Sequence, residues 1–108
     1  MPRPKKPRFI SGYPVMSAFV PEGIPVTGEV TIAIESMEAV RLSDFEGLDQ
    51  DSAARRMEIS RQTYGRVLAE ARQTIAAALV TGKKLRIGGG MYELRGQGRG
   101  RRRRRGGR

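Results

Sequence analysis

The clearest periodic pattern of hydrophobic positions lies between residues 61 and 81. Apolar side chains recur there at three- and four-residue spacing, which predicts a helix with one face turned inward. They are Tyr64, Val67, Leu68, Ala71, Ile75, Ala78 and Leu79. Ser60 precedes the pattern as an N-cap, and Gly82 follows it as a C-terminal glycine. We therefore predict a helix from Arg61 to about Thr81, whose second half packs on a preceding helix or on a second copy of the chain.

A shorter helical segment directly precedes this helix. It begins after Asp49, whose carboxylate can accept from the free amides of the first turn. It contains two adjacent small residues, Ala53 and Ala54, which allow another helix to cross closely. The next interruption, at residues 58–60, is short. A helix, a sharp turn and a second helix over residues 50–68 form the layout of a helix-turn-helix DNA reader.

A third helix and a strand precede the reader. Residues 29–34 alternate between polar and apolar side chains, which predicts a short strand. Ser36 then caps a predicted helix that runs to about Phe45 and ends at Gly47. This helix would pack behind the two helices of the reader.

Glycine and proline indicate the structure of the remaining segments. Three glycines, 88–90, interrupt the apolar residues of 85–92, which predicts a small hairpin paired with strand 29–34 in the same chain or across a dimer. Residues 9–25 contain three prolines and predict an irregular loop anchored by Phe19 and Ile24. The predicted fold class is mainly α, a three-helical helix-turn-helix domain with a small β-hairpin or strand element.

The formal net charge of +10 is concentrated at the two ends of the chain. Residues 1–8 carry +4 and residues 95–108 carry +8, whereas residues 9–94 carry −2. Within that middle part, residues 9–58 carry −6 and residues 59–87 carry +5, so the sign changes where the second reader helix begins. A basic run usually marks only a solvated face, but its coincidence with the reader layout favours contact with nucleic acid.

Two basic segments flank the predicted domain of residues 9–94. Residues 1–8 contain three prolines, which favour an extended arm along phosphates or in a minor groove; a plain disordered terminus is an equal alternative. Residues 95–108 have no apolar side chain and are predicted to be disordered. The basic residues expected to contact phosphates without reading sequence are Arg3, Lys5, Lys6, Arg8, Arg101, Arg102, Arg103, Arg104 and Arg105.

Several classes of protein are disfavoured by composition. The chain has no cysteine and no histidine, so we expect no disulfide, no metal site and no cofactor. The carboxylates show no paired spacing and the three glycines lack the lysine of a phosphate loop, which argues against an enzyme. No apolar run approaches 18 residues and no signal peptide is present, so we expect a cytoplasmic protein without a membrane partner.

The outward face of the reader supplies the candidate DNA-binding residues, which are Ser60, Arg61, Gln62, Thr63, Gly65 and Arg66. Arg61 could make a bidentate contact to guanine, and Gln62 could pair similarly with adenine. Ser60 and Thr63 lie at a helix N-terminus, where amides and the dipole favour a phosphate. Gln50 and Arg66 are expected to contact the DNA backbone.

Two positions of the second reader helix allow alternative interpretations. Gly65 costs about 1 kcal/mol relative to alanine inside a helix. Its missing side chain would let the helix approach DNA closely, or another protein segment could pack over it. Tyr64 is assigned to the core in preference to stacking on a base.

Two resemblances add to this interpretation. The run SMEAVRLSDFEGLDQDSAARRMEISRQTYGRVLAEAR resembles region four of bacterial sigma factors, whose helix-turn-helix reads promoter DNA. Within residues 1–92, MPRPKKPR, FVPEGIP, EAVRLSDFEGL, SRQTYGRVLAEAR, ALVTGKKLRI and GGGMY resemble the prokaryotic domain-of-unknown-function family numbered one hundred and thirty-four. Its members are predicted DNA-binding proteins. The arginine-rich tail lies outside this resemblance.

The resemblance implies roles by position. The DNA-contacting positions of the second helix are Ser60, Arg61, Gln62, Thr63 and Arg66, and the structural positions are Ala54, Ile59, Tyr64 and Val67. The turn position usually held by glycine is Glu58, where a left-handed backbone costs roughly 1 kcal/mol.

The sequence therefore predicts a sequence-specific DNA-binding protein, a transcriptional regulator that reads double-stranded DNA in the major groove. We expect a homodimer, because one short reader covers only a half-site. The alternative is binding of DNA or RNA without sequence preference, led by the arginine-rich tail.

Overall fold

The computed structural model describes residues 7–94 and shows a mainly helical protein with two small β-sheets, which confirms the predicted fold class. In this part of the chain the helices are α1 (Ile34–Val40), α2 (Gln50–Met57) and α3 (Arg61–Thr81), and a π-helical segment (Arg41–Phe45) extends α1. The strands are β1 (Arg8–Ile10), β2 (Ala18–Phe19), β3 (Glu29–Ile32), β4 (Lys84–Ile87) and β5 (Tyr92–Leu94).

Helix α1 begins three residues earlier than predicted. Its N-cap is Ala33, and the predicted N-cap, Ser36, lies buried inside the helix. The amide of Ile34 donates to the carbonyl of Gly89 at 3.1 Å. A distant loop thus supplies a partner that a capping side chain would otherwise supply. The predicted end is confirmed, because the helical path reaches Phe45 before the chain turns.

The first hydrophobic core lies among α2, α3 and the continuous helical path formed by α1 and its π-helical segment. Its buried members are Ala39, Leu42, Ala53, Ala54, Met57, Tyr64, Val67 and Leu68. The inward positions predicted for α3 are confirmed by the burial of Tyr64, Val67, Leu68 and Ala71. The small side chains of Ala53 and Ala54 are also buried, as close helix crossing requires.

The second half of α3 packs on the larger sheet and on α1. Ala71 and Ala78 are buried in a second core together with Ile32, Leu85 and Ile87. The prediction that Leu79 also faces inward is wrong, because 78% of this residue is exposed. Neighbouring helix positions lie about 100° apart, so Ala78 can be buried while Leu79 is exposed.

Strand β4 is the centre of the larger sheet. It pairs in parallel with β3, with Ile32 opposite Ile87, and antiparallel with β2, with Phe19 opposite Leu85. The predicted strand at residues 29–34 is confirmed over 29–32, and its partner is in the same chain. This sheet covers the second half of α3.

The predicted hairpin over residues 85–92 is wrong. Strand β5 pairs in parallel with β1, with Leu94 opposite Ile10, so β4 and β5 belong to different sheets. Gly90, at a φ of +99°, carries the chain between them. A β-carbon at Gly90 would collide with the Glu35 carboxylate, so the passage requires glycine.

The N-terminal segment is more ordered than predicted. Residues 9–25 contain β1 and β2, and Arg8, assigned to the extended arm, is the first residue of β1. Phe19 and Ile24 were predicted to anchor this segment, but more than half of each residue is exposed. The buried anchor is Ile10, which is 1% exposed. The disorder predicted for residues 95–108 and most of the predicted arm lie outside the described residues.

Two buried carboxylates of α1 hold the termini of the domain. Glu35 accepts a hydrogen bond from the Met91 amide at 3.0 Å. Glu38 accepts from the amide and hydroxyl of Ser11 at 3.0 and 2.9 Å, and from the Arg41 guanidinium. Burial alone would raise the pKa of Glu38, but the hydrogen bonds from Arg41 and Ser11 outweigh it and lower that pKa. These hydrogen bonds connect the small β1–β5 sheet to α1.

Candidate nucleic-acid interface

The start of α2 is fixed by a side-chain cap. The Asp49 carboxylate accepts a hydrogen bond from the Ser52 amide at 2.7 Å, as predicted. That hydrogen bond also lowers the pKa of Asp49, so the carboxylate is charged at neutral pH. The charge is favourable at the positive end of the helix dipole.

The turn between α2 and α3 is held by Glu58. Its φ of +57° and ψ of +45° place it in the left-handed region, as predicted from its position. The Glu58 amide donates to Arg55 at 3.1 Å, and the Ile59 amide donates to Ala54 at 3.0 Å. These bonds satisfy carbonyls at the end of α2 and set the direction in which α3 begins.

The start of α3 is fixed by a second side-chain cap. The Ser60 hydroxyl accepts from the Thr63 amide at 3.0 Å and donates to the Thr63 hydroxyl at 3.0 Å. The predicted capping role of Ser60 is confirmed. Their proposed contact with a phosphate stays a prediction, and it would have to coexist with this cap.

Tyr64 is a core residue, as predicted. It is fully buried and its hydroxyl donates to the Ala39 carbonyl at 2.8 Å. Because that uses the only phenolic proton, the Ser43 hydroxyl donates to Tyr64 at 2.5 Å. Burial is the main cause that raises the pKa of Tyr64. Because the ring is fully buried, it cannot stack on a base.

The outer face at the start of α3 carries the remaining candidates. Arg61, Gln62 and Arg66 are exposed, whereas Thr63 and Gly65 are half-buried. The structure thus brings three polar side chains together on one end of one helix. This face takes no part in either hydrophobic core.

Gly65 lies beneath a side chain from α2. A β-carbon at Gly65 would lie 3.5 Å from Oε1 of Gln50, which is an ordinary van der Waals distance. The half-buried Gln50 therefore lies next to the outer face, where it was predicted to contact a phosphate. The space at Gly65 admits a methyl group, so packing inside the chain does not demand glycine there.

An ion pair that the sequence did not suggest joins the two helices. Nε of Arg61 lies 3.7 Å from Oδ1 of Asp51, and both side chains are exposed. The two residues are ten positions apart, so no helical spacing relates them. The sequence feature that could have indicated the pair is the location of both residues in the first turns of consecutive helices.

A second arginine–aspartate pair lies farther along α3. Arg72 donates to Asp44 through Nη2 at 2.7 Å and through Nε at 3.2 Å. This bidentate contact lowers the pKa of Asp44 and raises that of Arg72. Residues 72–74 repeat the Arg-Gln-Thr sequence of residues 61–63. Eleven residues of helix separate the two copies by roughly 16 Å.

A shallow groove follows the outside of α2. It is lined by Leu48, Ser52, Arg55 and Arg56, and its volume is about 430 Å³. Nη2 of Arg56 lies 4.0 Å from the Glu46 carboxylate, so this basic surface is partly compensated. No pattern in the sequence pointed to these residues.

Of the phosphate contacts predicted in the terminal segments, Arg8 alone lies within the described residues. Arg8 belongs to β1 and is half-buried, so it is not in a solvated arm. Its Nε is buried and has no hydrogen-bond partner within residues 7–94. The other predicted contacts, Arg3, Lys5, Lys6 and Arg101, Arg102, Arg103, Arg104 and Arg105, lie outside the described residues.

Between residues 7 and 94, no cluster of three or more Asp, Glu, His or Cys side chains has an arrangement suited to a metal ion. Over the same range, no helix combines the length and apolar character needed to cross a membrane.

Comparison with known proteins shows the family. The chain belongs to the family described as "Protein of unknown function DUF134", whose profile matches residues 1–95. This confirms the resemblance to that family inferred from MPRPKKPR, SRQTYGRVLAEAR and GGGMY.

Curated relatives match most of this chain, and the matched part is a smaller share of their own length. The UPF0251 protein TTE1845 of Caldanaerobacter subterraneus is 46% identical over 90% of this chain and 84% of its own. A UPF0251 protein of Halothermothrix orenii is 50% identical over 87% of this chain and 71% of its own. A UPF0251 protein of Syntrophobacter fumaroxidans is 52% identical over 83% of this chain and 59% of its own. No solved structure matches.

Proposed function

We propose that this protein is a sequence-specific DNA-binding protein that acts as a transcriptional regulator. The observation that carries the proposal is the face formed by Arg61, Gln62 and Arg66 at the start of α3. These side chains are exposed, chemically suited to base edges and phosphates, and carried by a helix whose opposite side is buried. A short helix, a tight turn and a longer helix are the arrangement that places such a face in a major groove.

The two side-chain caps support the proposal energetically. Asp49 and Ser60 fix the first turns of α2 and α3, and Tyr64 fixes the reader helix against α1. A rigid scaffold reduces the entropy lost when a surface binds its partner. The proposal assigns no enzymatic reaction to this surface, and it places the protein in the cytoplasm with the chromosome.

A homodimer is part of the proposal. One reader of this size contacts only a few base pairs, and paired half-sites are the usual way to lengthen a recognised sequence. Leu79 and Val80 are 78% and 84% exposed near the end of α3, an apolar surface compatible with a second copy. The oligomeric state measured by sedimentation tests this component separately.

Nucleic-acid binding without sequence preference is the second candidate function. It is favoured by the charge of +8 carried by residues 95–108, against −2 for residues 9–94. Arginines of this kind bind phosphates of DNA and RNA alike and give strongly salt-dependent affinity.

Selection from a random pool of duplex DNA by the full chain tests the proposed function. Enrichment of one common motif, retained by a variant that ends at Leu94, supports sequence-specific reading by the α2–α3 face. Binding without an enriched motif, lost when residues 95–108 are removed, would contradict the first candidate and support the second.

A further inference from the structure

We infer that Asp51 is a positioning residue for the proposed DNA reader, and that it orients Arg61 for selection of guanine. The inference rests on the proposed function of the α2–α3 face. Its observation is the ion pair between Oδ1 of Asp51 and Nε of Arg61, which lie 3.7 Å apart.

The backbone on both sides of this pair is fixed by the fold. Asp51 is the second residue of α2, and Arg61 is the first residue of α3. Asp49 caps the first of these helices, and Ser60 caps the second. The carboxylate and the guanidinium are therefore delivered to the same place by two helices that are anchored in one core.

The side of the guanidinium that Asp51 approaches matters for recognition. A contact at Nε leaves the terminal nitrogens, Nη1 and Nη2, available as a pair of donors. Guanine presents two acceptors, O6 and N7, to the major groove in matching geometry. At 3.7 Å the contact is an ion pair and not a hydrogen bond. Asp51 would therefore bias Arg61 toward presenting its fork to a guanine and leave it less rotamer entropy to lose on binding.

Two simpler roles for Asp51 make different predictions. The carboxylate could only stabilise the positive end of the α2 dipole, in which case its loss would lower stability without changing base preference. It could also only repel DNA phosphates, in which case its loss would tighten binding to every sequence equally. Base discrimination is the quantity that neither role alters.

The chain supplies a charge-matched control. Asp44 pairs with Arg72, which lies on α3 as Arg61 does. Arg72 is the first residue of the second Arg-Gln-Thr sequence. Replacing Asp44 or Asp51 with asparagine changes the net charge by the same amount. The Asp44 pair lies roughly 16 Å, or about three turns, along α3 from Arg61, which exceeds the major-groove width of about 12 Å.

The experiment uses the full chain and a duplex selected by it from a random pool. The duplex is synthesised with each of the four bases at the position where Arg61→Ala abolishes discrimination, and affinities are measured at one salt concentration. We expect Asp51→Asn to reduce the preference for guanine by about threefold or more. Asp44→Asn should leave that preference unchanged.

A double-mutant cycle shows whether Asp51 acts through Arg61. In the Arg61→Ala background, Asp51→Asn should have no effect on discrimination, because the side chain that it orients is gone. Asp51→Glu keeps the charge at a different reach and should also weaken the preference for guanine. Thermal unfolding of every variant verifies that the folded protein is compared.

Three outcomes would overturn the inference. They are an unchanged preference in both Asp51 variants, equal strengthening for all four bases, or an effect of Asp51→Asn that persists without Arg61. These outcomes leave the proposed function intact as long as Arg61→Ala abolishes discrimination. If Arg61→Ala changes nothing, the proposed function fails, and this inference fails with it.

Discussion

The hydroxyl of Tyr64 donates a hydrogen bond to the main-chain carbonyl of Ala39 over 2.8 Å. This bond joins the helix that carries the proposed reading face to the helix that supports it. The ring of Tyr64 is fully buried between them, so α3 cannot rotate about its axis without breaking the bond and the packing together. The direction in which Arg61 and Gln62 point is set by this contact.

Tyr64→Phe tests this anchor. The change keeps the ring but leaves the Ala39 carbonyl and the Ser43 hydroxyl without their common partner, so we expect a loss of about 1–2 kcal/mol in unfolding free energy. Urea denaturation measures it. Tyr13→Phe is the matched control, because 58% of Tyr13 is exposed and its loss should be much smaller. Equal losses in the two variants would contradict the anchoring role.

Two leucines of α3 test the assignment of its faces. Leu68 is 2% exposed in the first core, whereas Leu79 is 78% exposed. We expect Leu68→Ala to cost about 2–5 kcal/mol and Leu79→Ala to stay within about 0.5 kcal/mol. The two losses of unfolding free energy are compared by urea denaturation at protein concentrations so low that any dimer is dissociated. A large loss for Leu79→Ala at that dilution would show that this residue packs inside the folded chain.

The Glu38 carboxylate predicts the pH dependence of stability. Its folded-state pKa is lowered, because hydrogen bonds from Arg41 and Ser11 outweigh burial. The Glu38 carboxyl therefore binds a proton more tightly in the unfolded chain than in the folded one. Its contribution to the unfolding free energy is fully present above roughly pH 4.3, the ordinary pKa of glutamate. It is lost as the pH falls through the folded-state pKa.

Glu38→Gln removes that titration. We expect the variant to be less stable at neutral pH, and its stability to fall less steeply below about pH 4.3 than that of the unmodified protein. Thermal unfolding across a pH series measures both. A Glu38→Gln slope identical to the original would exclude Glu38 as its source.

The left-handed turn residue predicts a stabilising substitution. Glu58 has a φ of +57°, a region in which glycine has no steric penalty. We expect Glu58→Gly to raise the unfolding free energy by roughly 0.5–1 kcal/mol. The same exchange at Glu70, inside α3, should lower it by about 1 kcal/mol. Opposite signs in urea denaturation are the expected result, and a loss at both positions would contradict the turn geometry.

Local signals in the sequence located the bounds of α2 and α3 well. Asp49, Ser60 and Gly82 each mark a helix end through a preference that acts over a few residues, and all three lie at the predicted ends. The inward positions of α3 followed from helical spacing alone. The left-handed conformation of Glu58 was implied by the resemblance to helix-turn-helix proteins, in which glycine usually holds that turn position.

Features that depend on distant partners were missed. β1 and β5 have three residues each, too few for a clear alternation, and they are defined by pairing with each other across the length of the domain. Ser36 satisfies the local rule for a cap, yet the backbone of the Gly89 loop takes the place of that cap. The Asp51–Arg61 pair depends on how two helices cross, which no local pattern encodes.

Binding of the full chain to its selected duplex tests the central claim most directly, and the repeated Arg-Gln-Thr sequence provides its internal control. Arg61→Ala and Gln62→Ala should each weaken binding to the selected duplex by about 1–3 kcal/mol relative to a scrambled duplex. Arg72→Ala and Gln73→Ala, three turns away on α3, should leave that difference unchanged. Equal effects from the two copies, or no effect from either, would contradict sequence reading by the start of α3.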